Sequence, residues 1–279
     1  LSEDAIYRSF DFGDLASLLM VETRLTARNE QLSYGADMPM TAAGPDVAAF
    51  EAKRNDPGRD LLGDRQRGWI RDTLAASKAA GRPWQVLGNQ VVMGRVQGPD
   101  ISKLASRIEI MALMAGLKPE VRAQVQQAQQ LFSLGVPFNL DSWDGYPAGR
   151  ERLYAAFADA GVEPIVLAGD SHAFWVNDLK DAAGRRAAVE FGTSSISSPS
   201  PGDHVPGVPL GAALTATNAE VVLCDQSAKG YVLLTLTPDQ ARAELRTVST
   251  IMAKPYRAGV LKTFTVAKTA TGLGSLVES

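Results

Sequence analysis

The chain has 279 residues, with 28 Lys+Arg against 31 Asp+Glu and a formal charge of −3. Its single Cys excludes an internal disulfide framework and any Cys-based zinc finger, and the mild acidity supplies no attraction toward nucleic acid or an anionic membrane. Two His are few for a His-rich metal centre.

The chain begins at Leu1, with no basic n-region or apolar h-region behind it, which points to a fragment or a processed chain. Leu15 to Glu22 is a near-continuous apolar run, the pattern of a strand buried on both faces. Residues 29–60 are polar and rich in Gly, Pro, Asp and Asn, so they read as an insertion, with a short helix at Pro45 to Lys53. Asp64 is the expected N-cap of a helix that buries Trp69, Ile70 and Leu74 and stops at Gly81. Trp84 to Leu87 is a strand. Residues 100–133 form two helices, the later one started by Lys118-Pro119-Glu120 and ended by Gly135.

Asp144 to Gly161 repeats that logic. Pro147 suits a first turn, Leu153, Tyr154 and Phe157 make the apolar stripe, and Gly161 is the C-cap. Pro164 to Leu167 and Ala187 to Phe191 are strands. Thr193 to Pro209, crowded with Ser and Pro, is a loop. Val221 to Cys224, Tyr231 to Leu236 and Ala243 to Val248 are expected as antiparallel strands. Residues 255–279 are expected to be a weakly ordered tail. No apolar run reaches the ~20 residues that a membrane span needs. The whole is α/β giving way to antiparallel strands, as one domain over 1–279.

The sharpest chemical signal is Gly169-Asp170-Ser171-His172 at the end of an apolar strand, where open α/β sheets carry their sites. Asp170 and His172 are two apart, so in extended backbone they point to one side and offer two ligands to a hydrolytic metal centre. The bland alternative makes Asp170 a turn cap and His172 a hydrogen-bonded core residue. A rival chemistry makes Ser171 the nucleophile of a GDSL-type serine esterase. Its base would have to be His204, with Pro201 where an Asp is expected, because His172 is Ser171's sequence neighbour. Asn89, after the Trp84 strand, is either a metal-ligating amide or, more simply, a turn residue bonding backbone. His204 falls in the Ser/Pro loop, where it either reaches into a site at the strand ends as a candidate substrate contact or, more simply, is exposed. Trp143 and Trp175 read as packing residues. Neither a P-loop nor a Gly-x-Ser-x-Gly elbow is present.

Several blocks together resemble the PhoD-like alkaline phosphatases. Tyr7-Arg8-Ser9-Phe10, Phe12-Gly13-Asp14-Leu15 and Glu22-Thr23-Arg24 are similar to that family's Tyr-Arg…Gly-Asp-Leu…Asp-Thr-Arg block. Leu62-Gly63-Asp64-Arg65-Gln66 through Trp69 resembles its next helix, and Trp84 to Gln90 the strand after it. Trp143-Asp144-Gly145-Tyr146-Pro147 with Arg150-Glu151-Arg152-Leu153 follows, then Gly169 to His172, then Glu190-Phe191-Gly192-Thr193-Ser194 through Ser198-Pro199, then Gly230-Tyr231. The likeness covers most of residues 6–248.

That resemblance implies a metallophosphatase fold of stacked β-sheets flanked by helices. It also implies a metal-dependent hydrolase of phosphate mono- or diesters, exported to the periplasm or medium, with calcium and iron as its metals. It assigns Asp170 and His172 to the metal site and His172 to the catalytic group; His204 lies where a further site residue, a substrate contact, could fall, but no motif fixes it. Glu22 stands where the family has Asp. The upstream Gly-Asp-x-Ile-Tyr-Glu and Trp-Asp-Asp-His-Glu motifs, which carry about half of the ligands, do not precede Tyr7. The expectation is therefore a domain truncated at its N-terminus, with a non-catalytic fragment as the reading from another class.

Overall fold

A computed structural model describes residues 6–99 and 106–279. In chain order it has β1 (Arg8–Phe12), β2 (Ala16–Met20), α1 (Tyr34–Asp37), β3 (Met40–Thr41), β4 (Gly44–Pro45), α2 (Val47–Arg54), α3 (Gly63–Ala79) and β5 (Trp84–Gly88). Then come α4 (Arg107–Gly116), α5 (Pro119–Phe132), α6 (Pro147–Ala160), β6 (Ile165–Ala168), β7 (Phe174–Lys180) and β8 (Arg186–Gly192). The last third holds α7 (Leu210–Thr217), β9 (Val221–Asp225), β10 (Lys229–Leu236), β11 (Gln240–Val248), β12 (Ala258–Thr269) and β13 (Gly272–Glu278). The helical expectation over 100–105 lies outside the described residues.

The apolar runs at β2, β5, β6 and β8 pair in parallel, as strands covered on both faces do. They form the middle of a seven-stranded sheet in the order β1-β2-β5-β6-β8-β7-β9, with β1, β7 and β9 in antiparallel pairings. On one face lie α3 and α6. Ile70, Leu74, Leu153 and Phe157 bury against Leu19, Leu87 and Val166. The other face is covered by a four-stranded antiparallel sheet, β10-β11-β12-β13. Ala243, Leu245, Phe264 and Val266 from that sheet meet Trp84, Ile165, Phe174, Val176 and Val189. The layers are thus helices, large sheet, small sheet, which is the stacked-sheet α/β architecture expected.

Helix ends follow local chemistry with one exception. Pro147 opens α6, and Gly161 closes it in the left-handed region at φ 66°, where a side chain would be strained. Asp64 is not the N-cap of α3. The helix starts at Gly63 after Leu62, and Asp64 sits in the first turn paired with Arg67, where a carboxylate still favours the helix dipole.

Four other expectations are corrected. Val221 to Cys224 is a strand, but it joins the large sheet beside β7 and does not pair with β10. β1 was not expected, because all five of its residues are exposed on a sheet edge and carry no burial pattern. β7 was missed because Asn177 and Asp178 interrupt its apolar run; Asn177 is nevertheless fully buried on a polar partner, Glu190. Residues 255–279 are not a loose tail. β12 and β13 complete the small sheet, and their basic and small residues hide an alternation that buries Phe264 and Val266.

Phe264→Ala is expected to lower unfolding stability by about 3–5 kcal/mol, as deletion of a large buried side chain does. Urea denaturation measures it. An unchanged midpoint would return 255–279 to the status of a tail.

Candidate active site

The carboxyl ends of β5, β6 and β8 open into three irregular segments. After β6 the chain makes a tight turn, with the His172 N–H donating to the Gly169 carbonyl at 3.4 Å. His172 adopts φ 55°, a conformation uncommon outside glycine and one that concentrates at functional sites. The backbone here is not extended, so the alternation argument for Asp170 and His172 fails. The turn itself brings both residues to the wall of one cavity of about 380 Å³, which His204 also lines from a separate segment.

His172 Nδ1 lies 2.9 Å from the Pro199 carbonyl, which can only accept. Nδ1 therefore carries the proton, and in the neutral ring Nε2 holds the lone pair. The Ser171 hydroxyl takes a hydrogen bond from the Trp175 indole N–H at 2.8 Å. Neither histidine ring bonds it among the described residues, so no base is placed for a serine nucleophile. His204 ends a short 3-10 turn, Pro201–His204, that Lys229 steadies through an ion pair with Asp203 at 2.5 Å.

Asp170 is met by Arg24, a residue outside the expected site set. Arg24 donates through Nη2 to Asp170 Oδ1 at 2.9 Å and through Nη1 to Asp141 Oδ1 at 2.7 Å. Arg28 also pairs with Asp141. Burial works against ionisation of Asp141, but the two guanidiniums, Arg24 first, outweigh it and hold the carboxyl below its ordinary value. Arg24 lay within the Glu-Thr-Arg block, so a signal existed; Asp141 belongs to no motif.

Glu22 explains how Arg24 is presented. Its buried carboxylate accepts the N–H groups of Arg24 at 2.5 Å, Leu25 at 2.8 Å and Thr26 at 2.9 Å. Burial alone would raise its pKa, yet these donors together lower it. Glu22 is thus the cap of the turn that carries Arg24. Its own backbone is held reciprocally by Gln66, which accepts from Glu22 N at 2.7 Å and donates to Glu22 O at 2.8 Å. Asn89 is buried, donates to the Val91 carbonyl and accepts from the Trp143 indole, so its amide serves the turn.

The segment after β5 forms the cavity's apolar side through Val92 and Val96. Its backbone is anchored by acceptors from distant elements. Met93 N–H and Gly94 N–H donate to Glu190 at 2.7 and 3.1 Å. Arg95 N–H donates to Glu220 at 2.9 Å, Val96 N–H to Asp144 at 2.7 Å and Gln97 N–H to Asn218 at 2.7 Å. Asp144 is also bonded by the buried Arg150 at 2.7 Å. Asp144 and Glu190 therefore act on the site through this wall.

The sequence profile of the PhoD-like phosphatases matches residues 2–245. The chain belongs to the PhoD-like phosphatase family. It is 26% identical over 275 residues to alkaline phosphatase D of Bacillus subtilis (strain 168), covering 96% of this chain and 38% of that protein. The solved structure of PhoD superimposes with a TM-score of 0.67 at 24% identity, over 99% of this chain and 44% of that one, and supports the fold. The chain thus spans less than half the length of these PhoD-like relatives.

Members of the PhoD-like family are generally metal dependent. Among the described residues no group of three or more His, Cys, Asp or Glu gathers to hold an ion. Asp170 is already paired with Arg24, and His204 comes from a separate loop. The described residues of this PhoD-like chain do not build a metal centre by themselves.

Glu190 generates a pH test. It is fully buried, and burial pushes its carboxyl up from 4.5 to about 7 against the lowering effect of Asn177, Met93 and Gly94. The folded value lies above the unfolded one. Its contribution to stability is therefore complete below pH 4.5 and is lost as pH rises through about 7, a loss on the order of a few kcal/mol. Urea midpoints across that window are expected to fall in the native protein and to flatten in Glu190→Gln. Equal slopes in the two proteins would reject this assignment.

Proposed function

We propose that the intact protein hydrolyses phosphoric esters, mono- or diesters, by attack of water or hydroxide on phosphorus. The observation that carries this reading is the Gly169–His172 turn at the carboxyl ends of parallel strands, whose Asp170 and His172 line one cavity together with His204 of the Pro201–His204 turn. Membership of the PhoD-like family gives it a reaction class. Calcium and iron are the ions that the resemblance implies, and Asp170 and His172 are the donors that this chain would contribute. Since the described residues do not complete a site, no catalytic step is assigned to a metal.

The roles of the chain's own groups are narrower. The Pro199 carbonyl fixes the His172 ring, so that the unprotonated nitrogen is available to a ligand or a proton. Arg24 holds the Asp170 carboxylate in place and keeps its charge balanced. His204, which lines the same cavity, would contact the ester. The intact protein is proposed to work in the periplasm or medium, as the resemblance implies. No described helix is long and apolar enough to cross a membrane.

Asp170→Asn in the intact protein is expected to lower hydrolysis of a chromogenic phosphate ester more than about tenfold, the loss expected for a group acting at the reacting centre. Near-native turnover with unchanged metal content would end the reading. The 279-residue chain assayed alone with calcium and iron separates a competent enzyme from a non-catalytic fragment.

A further inference from the structure

Gln90 is exposed next to the Gly169–His172 turn, outside the residues that line the cavity, yet its amide has only one admissible orientation. Thr23 N–H donates to Gln90 Oε1 at 2.8 Å, and the Thr23 hydroxyl donates to the same oxygen at 2.5 Å. A backbone N–H can only donate, so the amide oxygen must face Thr23 and the NH₂ must face away. Among the described residues that NH₂ has no acceptor.

The same residue also fixes the neighbouring turn. Its backbone carbonyl accepts the N–H groups of Gly169 at 3.2 Å and Asp170 at 3.1 Å. Gln90 therefore touches both sides of the Arg24–Asp170 pair: through its side chain the segment that presents Arg24, and through its main chain the turn that presents Asp170. The free NH₂ is an oriented, neutral donor. An amide whose oxygen is tied down twice loses little rotamer freedom when its nitrogen binds a ligand, which favours donation.

We propose that Gln90 is a substrate-contacting residue, its side-chain NH₂ donating a hydrogen bond to a phosphoryl oxygen. The assignment rests on the phosphoric ester reading for its kinetic arm. The competing explanation is that Gln90 only anchors Thr23.

Gln90→Glu separates the two. It keeps an oxygen for Thr23 and replaces the donor with an anionic acceptor that repels an oxyanion. In the intact protein, hydrogen exchange at the Thr23 amide is expected to stay within about threefold of native. KM for a chromogenic phosphate monoester is expected to rise at least about tenfold, with kcat changed much less. Gln90→Met, which lacks both functions, is expected to lose Thr23 protection as well. A native KM in a Gln90→Glu protein with native Thr23 protection overturns the proposal.

A second measurement does not need turnover. Inorganic phosphate titrated into the native protein is expected to shift the Gln90 side-chain NH₂ resonances. Resonances that stay put at saturating phosphate overturn the proposal. A native protein that binds phosphate through Gln90 but cleaves no ester would instead retire the hydrolase reading and leave this contact standing.

Discussion

The constraint on which the site depends is the need to satisfy the buried backbone of the segment that follows β5. That segment has no regular ladder of its own, and an unpaired buried N–H costs about as much as a lost hydrogen bond. Five successive N–H groups, Met93 to Gln97, are instead received by Glu190, Glu220, Asp144 and Asn218. Three of the four acceptors are carboxylates, which when ionised accept without presenting a competing donor. An irregular stretch is thereby given the fixity of a secondary-structure element. One end of it carries Gln90, which receives Gly169 and Asp170, and so the turn bearing Asp170 inherits that fixity.

The two-sheet arrangement makes such a segment necessary. Parallel strands β5, β6 and β8 end side by side, so three chain segments emerge into one region and must be sorted there. With α3 and α6 on one face of the large sheet and the small sheet on the other, the strand ends are left open to a site. Glu190 shows the coupling most directly. It lies within β8, is buried in the large sheet and yet reaches Met93 and Gly94, so the core and the cavity wall share one residue.

Much of this was legible in the sequence, and the reasons for what was not are physical. The parallel strands announced themselves as apolar runs because both of their faces are covered. The limits of α6 followed from Pro147 and Gly161. Two of the failures were elements whose signal is not periodic burial: β1, exposed along its length, and β7, whose polar Asn177 is buried on Glu190; in β12 the alternation exists but basic and small residues obscure it. The site was half legible. Asp170, His172 and His204 could be chosen by chemistry and do line one cavity, but for a reason that spacing could not supply, since a turn with His172 at φ 55° replaces the extended strand. Arg24 and Asp141 stand 117 residues apart in the chain, and no local pattern connects them.

The charge arrangement also bears on how the site would accept a ligand. Arg24, Arg28, Asp141 and Asp170 sum to zero, so an arriving ion or phosphoryl group meets a neutral cluster. The bonds within it are unequal. Arg24 to Asp170 joins side chains that are 30% and 41% exposed, whereas Arg28 and Asp141 are 11% and 25% exposed. Exposed ion pairs contribute on the order of 1 kcal/mol or less, because water already screens both partners. The Asp170 contact is therefore the one that yields at little cost, while Asp141 retains Arg24 through its other nitrogen. Release in that order would free a carboxylate for a cation and leave a guanidinium edge for an oxyanion, without either having to displace the better-shielded pair.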